Sequence, residues 1–125
     1  MADAVATQVL LDGPGLYVAK YTNLSDGVGE AAVTKIDVSG LTPAASAVSI
    51  RRIVASTSGM GVNILWDATS DVTCFLVAQD QTIDITFDPP LVNNAGAGIT
   101  GDVQFTTIGH TAGDTYVIIL YCSKS

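Results

Sequence analysis

The chain ends on a run of side chains that suits a β-strand covered on both faces and little else. From Tyr116 to Tyr121 six consecutive residues are aromatic or aliphatic, and Val117, Ile118 and Ile119 are β-branched. β-branching stiffens χ1 and fits a pleated surface better than a helical turn. Successive strand residues point to opposite faces, so Tyr116, Ile118 and Leu120 share one face and Val117, Ile119 and Tyr121 the other. Neither set is polar. A core is expected against one face, and a second layer or a partner subunit against the other. Gly113-Asp114 before the run and Ser123-Lys124-Ser125 after it mark its ends. This run is the expected central strand.

The rest of the chain repeats the β-type pattern, and no segment holds a helical period over a dozen residues. Strands are expected at 5–11, 16–22, 31–38, 48–56, 62–67, 72–78, 82–88 and 102–107. Asp12-Gly13-Pro14-Gly15 and Ser58-Gly59-Met60-Gly61 are strong turn signals, and Asp26-Gly27 can supply the positive φ of a hairpin turn. In the second strand Tyr17, Ala19 and Tyr21 share a face. In the third, Ala32, Thr34, Ile36 and Val38 oppose an exposed set of Val33, Lys35 and Asp37. In the fifth, Val62, Ile64 and Trp66 face inward. In the seventh, Ile83, Ile85 and Phe87 face inward, and Pro89-Pro90 ends the strand. Residues 39–47 form a loop with room for a short helical turn, and 91–101 a glycine-rich connection. Short alternating strands with frequent turn signals predict an all-β chain: an antiparallel, jelly-roll-like β-sandwich of about eight or nine strands. Its 125 residues form a single domain, 1–125.

Charge narrows the partners. Only 14% of residues are charged, the net charge is −7, and mean hydropathy is +0.43. So little charge predicts a small solvated area per subunit, as in a homo-oligomer or a surface-bound protein. Five basic residues are too few to neutralise a nucleic-acid backbone, and there is no basic amphipathic stretch for a membrane. The N-terminal stretch lacks the pattern of a secretory signal. Without one, Cys74 and Cys122, each inside an apolar run, are expected to be buried thiols, with a disulfide as the alternative.

Catalytic chemistry finds few residues to use. His110 is the only histidine and lies in a glycine-flanked loop. One histidine and two cysteines in apolar runs make a poor zinc set. Asp84, Asp88, Asp102 and Asp114 fit solvated strand faces and turns better than a paired-carboxylate site, and no Asp-x-Asp-x-Asp-Gly series for calcium is present. The glycine-rich segment from Gly96 to Gly101 precedes a strand and so lacks the helix N-terminus of a phosphate cradle. Trp66-Asp67 near Asn63 could stack on a sugar, although a core or interface tryptophan fits the inward phase better. No enzyme activity, cofactor or metal is expected. Adjacent Arg51 and Arg52 cannot both follow strand alternation onto one side unless a bulge shifts the phase. One of them is expected in a buried or intersubunit ion pair. The residues expected at subunit contacts are Arg51, Arg52, Trp66, Tyr116 and Tyr121.

Pro90-Leu91-Val92-Asn93, Gly98-Ile99-Thr100-Gly101-Asp102-Val103-Gln104-Phe105-Thr106-Thr107 and Gly113-Asp114-Thr115-Tyr116-Val117-Ile118-Ile119-Leu120 resemble the end of small all-β virion proteins of tailed phages, notably marine and cyanobacterial ones. The start, Ala6-Thr7-Gln8-Val9-Leu10-Leu11-Asp12-Gly13-Pro14-Gly15, resembles theirs too. The resemblance implies a virion structural subunit assembled in the host cytoplasm, of the capsid decoration (cement) type. It implies self-association, with a trimer expected, and the major capsid protein as partner on the outer lattice. The alternative is a carbohydrate- or receptor-binding module of a phage tail or fibre.

Overall fold

In a computed structural model of the chain, the described residues are 4–13, 15–25, 27, 30–38, 41, 48–68, 70–92, 102–109 and 111–124. Nine strands are present among them: β1 (Ala4–Asp12), β2 (Leu16–Leu24), β3 (Val33–Ile36), β4 (Val48–Ser58), β5 (Gly61–Trp66), β6 (Val72–Val77), β7 (Thr82–Leu91), β8 (Val103–Ile108) and β9 (Thr115–Lys124). Each falls on an expected strand. His110, Asp26, the side chain of Asp88, most of the 39–47 loop and the glycine-rich segment 93–101 lie outside the described residues.

Two antiparallel sheets form, one of five strands in the order β1-β2-β9-β4-β7 and one of four in the order β3-β8-β5-β6. The pairing is nested: β2 with β9, β3 with β8, β4 with β7, and β5 with β6. One long antiparallel ribbon, folded over on itself, yields this arrangement, which is the jelly roll. β1 is added outside it, along β2. β9 occupies the middle of the larger sheet, between β2 and β4. Its doubly apolar sequence matches that place.

The core lies between the sheets. Trp66, Tyr21, Tyr116, Phe105, Ile64, Ile118 and Leu120 are among its fully buried side chains. Phe105 meets Tyr21 and Tyr116 edge-on, with ring centroids 5.4 and 5.8 Å away. That geometry suits the ring quadrupoles. The inner phase of β2, β5 and β9 is the one the alternation predicts.

Several expectations are corrected. Trp66 is 2% exposed and Tyr116 1%, so the core uses them and neither can reach a partner subunit. The 23–29 link does not close a hairpin, because β2 and β3 lie in different sheets. Ser25 and Glu30 bond instead to the backbone of Gly113, Asp114 and Thr107. β7 continues past Pro89-Pro90 to Leu91. As an edge strand it tolerates residues without an N–H, and its pairing to β4 jumps from Thr86 to Leu91 across them. Lys35 does not join an exposed face. A register shift in β3 between Thr34 and Ile36 coincides with its side chain being 7% exposed and bound to Glu30.

Candidate functional site

The outer face of the five-stranded sheet brings three of the expected contact residues together. β4 carries a register shift between Ile50 and Arg52 against both neighbours, which makes Arg51 the extra residue of a bulge. The bulge lets Ile50 and Ile53 both point into the core while Arg51 and Arg52 both stay outside. Register then sets Val18 opposite Tyr121, Tyr121 opposite Arg52, and Arg52 opposite Thr86. A groove of about 370 Å³ runs over this row, lined by Leu16, Val18, Arg51, Arg52, Thr86, Tyr121 and Cys122.

Arg52 is fixed from two sides. Its Nε donates to Asp84 Oδ1 at 2.7 Å and its Nη2 to Asp84 Oδ2 at 2.6 Å. Its guanidinium carbon lies 5.1 Å from the centre of the Tyr121 ring. These hydrogen bonds hold the Asp84 carboxyl below the usual carboxylate range and raise the Arg52 guanidinium. The pair is within one chain and open to solvent, with side chains 39% and 54% exposed, so Arg52 does not form a buried pair. Arg51 is exposed and makes a single long hydrogen bond, to Ser123 Oγ at 3.4 Å. The ion pairs among the described residues are Lys35–Glu30, Arg52–Asp84 and Lys124–Asp12, which leaves Arg51 without one. The groove therefore offers an apolar floor, one anchored guanidinium and one uncommitted guanidinium.

A second polar cluster is buried. Glu30 accepts hydrogen bonds from Tyr116 Oη at 2.5 Å and Asn23 Nδ2 at 3.1 Å on Oε1, and from Lys35 Nζ at 2.5 Å on Oε2. Its backbone N–H donates to Thr107 Oγ1 at 2.8 Å. Lys35 Nζ also lies 5.8 Å from the centre of the Phe105 ring. With the Glu30 and Lys35 side chains 5% and 7% exposed, this cluster has no open side for a substrate. It pins the β2–β3 link to the core.

Nucleophilic and metal chemistry have little to build on among the described residues. No group of three or more His, Cys, Asp or Glu could hold a metal ion there. Cys74 and Cys122 are free thiols, and burial pushes both up to about 12, so neither is a thiolate near neutral pH. Trp66 is in the core and offers no face to a sugar. The other aromatic rings are also buried or half-buried.

Leu16, Val18 and Thr86 line the groove and Asp84 anchors its Arg52, and none of the four was among the expected contact residues. Alternation along each strand already puts Leu16 with Val18, and Asp84 with Thr86. Only the sheet order, which places β2 and β7 on either side of β9 and β4, joins the two pairs.

No family model and no curated protein matches the chain. Among solved structures it is similar to a mutant of the carbohydrate-binding module CBM29-2, with TM-score 0.42, 9% identity, and coverage of 97% of this chain and 79% of that one. It is also similar to a mutant of a family 29 carbohydrate-binding module, with TM-score 0.44, 11% identity, and coverage of 95% and 92%.

Proposed function

We propose that this chain is a non-catalytic virion subunit of the capsid-decoration type, which docks on the outer capsid lattice through the groove of Arg51, Arg52 and Tyr121. The observation that supports this is the make-up of the groove. Leu16, Val18 and Tyr121 form an apolar floor beside two adjacent arginines, one of them with no ion-pair partner among the described residues. Aromatic residues and arginine are the types enriched where proteins meet, with charge kept toward the rim. The free fork of Arg51 suits a carboxylate on the partner, here the major capsid protein. The virion setting rests on the resemblance to phage virion proteins.

A carbohydrate- or receptor-binding role on a tail or fibre is the second reading, favoured by the hydrogen-bonding groups of Arg51, Arg52 and Thr86 around one groove. It is the weaker reading because sugar recognition usually exploits an open aromatic face. Tyr121 is half-buried, and its ring lies beneath Arg52.

Co-sedimentation with particles lacking the chain tests the proposal. Purified protein should pellet with them. Arg51→Glu and Leu16→Lys should each reduce the bound fraction at least about tenfold. Val33→Lys, on the other sheet, should leave it unchanged. No pelleting by the parent, or pelleting abolished by soluble oligosaccharide, would overturn it.

A further inference from the structure

β1 is the long unguarded edge of the molecule. Among the described residues it pairs only with β2, and it runs for nine residues from Ala4 to Asp12. Edges left open in this way are usually blunted by short length, charge, proline or a bulge. The other edges have such protection. β7 carries Asp84 and the Pro89-Pro90 pair, β3 has four residues with Lys35 among them, and β6 has six. β1 has no charged residue and no proline between Ala4 and Leu11, and its one irregularity falls between Val9 and Leu11. The stretch from Ala4 to Val9 is therefore regular and neutral.

The inner face of this strand is also uncovered. Val5, Thr7 and Val9 pair with Asn23, Tyr21 and Ala19, which are buried against the core. Yet Val5 and Val9 are 48% and 52% exposed. Half-exposed valines at these positions mean that the four-stranded sheet does not cover this side of β1.

We propose that β1 pairs antiparallel with β1 of a second copy, with Thr7 on the two-fold axis. Val5 then lies opposite Val9 of the partner subunit, and Val9 opposite Val5 of the partner subunit. Ala6 lies opposite Gln8 in the same way. The sequence supports this occupant, since its apolar inner positions are symmetric about Thr7. A one-residue slip would set Val5 against Gln8 and lose the match. A neutral strand is also where two copies of a chain of charge −7 approach with least repulsion. The result is an isologous dimer with one continuous ten-stranded sheet, in place of the expected trimer. This contact is independent of what the outer groove binds.

Cysteine crosslinking of the purified protein, with sedimentation velocity from about 1 to 100 µM, tests it. The parent should sediment as a dimer within this range. Thr7→Cys should form a covalent dimer under mild oxidation. Val5→Cys should not, because the two copies of residue 5 lie roughly 13 Å apart along the paired strands, beyond disulfide reach. Val9→Lys, at an exposed site, should keep the parent's circular dichroism and weaken association at least about tenfold. A parent that stays monomeric to 100 µM, a Val5→Cys variant that crosslinks as fast as Thr7→Cys, or a Val9→Lys variant that associates like the parent would each overturn the proposal.

Discussion

Arg52 grips Asp84 through two parallel hydrogen bonds, Nε to Oδ1 at 2.7 Å and Nη2 to Oδ2 at 2.6 Å, across adjacent strands 32 residues apart in the chain. A fork-to-fork pair fixes orientation as well as distance. It holds the guanidinium over Tyr121 and leaves Arg51, one residue earlier, as the exposed charge of the groove without an ion-pair partner among the described residues.

The pair has a pH signature. Because Arg52 lowers the carboxyl of Asp84 in the folded chain, its contribution to stability is complete above the unfolded carboxylate pKa, about 3.9. That contribution is lost as pH falls through the lower folded value. Carboxyl-carbon NMR titration should place Asp84 below the ordinary range, and Arg52→Ala should return it there. An unchanged midpoint in Arg52→Ala would remove the pairing in solution.

Neighbouring residues of β9 should respond very differently to truncation. Ile118 is fully buried and Val117 is 39% exposed on the other face. Ile118→Ala should cost about 2–5 kcal/mol and Val117→Ala under about 1 kcal/mol by denaturant unfolding of the assembled protein. Equal costs would mean that the outer face is as tightly covered as the core.

Much of this was legible in the chain itself. Nine strands and the central place of β9 followed from alternation, turn signals and one doubly apolar run, all of which are local. Lys35 was misplaced because alternation assumes an unbroken pleat, and a register shift in β3 breaks it. Tyr116 and Trp66 were half right: their inward phase was readable, but not that the opposite sheet closes over them completely. The Arg52–Asp84 pair and the exposed edge position of β1 depend on strand order, which single-strand patterns do not carry.

The Glu30 cluster should behave as a buried pair. Glu30→Ala leaves Lys35 buried without its carboxylate and should cost about 3–5 kcal/mol. The double variant Glu30→Leu with Lys35→Met should recover much of that loss in equilibrium unfolding. A double variant as unstable as the single one would show that the hydrogen bonds to Tyr116 and Asn23, rather than the charge pair, hold the link.

The thiols should be silent in the folded protein. With both raised to about 12 by burial, Cys74 and Cys122 should resist iodoacetamide at pH 8 and take up two labels only after denaturation. Labelling of the native protein at the rate of a free thiol would contradict their burial. Failure to label after denaturation would reveal a disulfide.

Cryo-electron microscopy of phage particles incubated with the purified chain tests the proposed capsid-docking role most directly. Jelly-roll density is expected on the outer capsid lattice, with the Arg51–Arg52–Tyr121 face turned toward the shell and Arg51 within reach of a capsid carboxylate. Density for this chain at the tail or fibre, or on the capsid with that face turned to solvent, would contradict it.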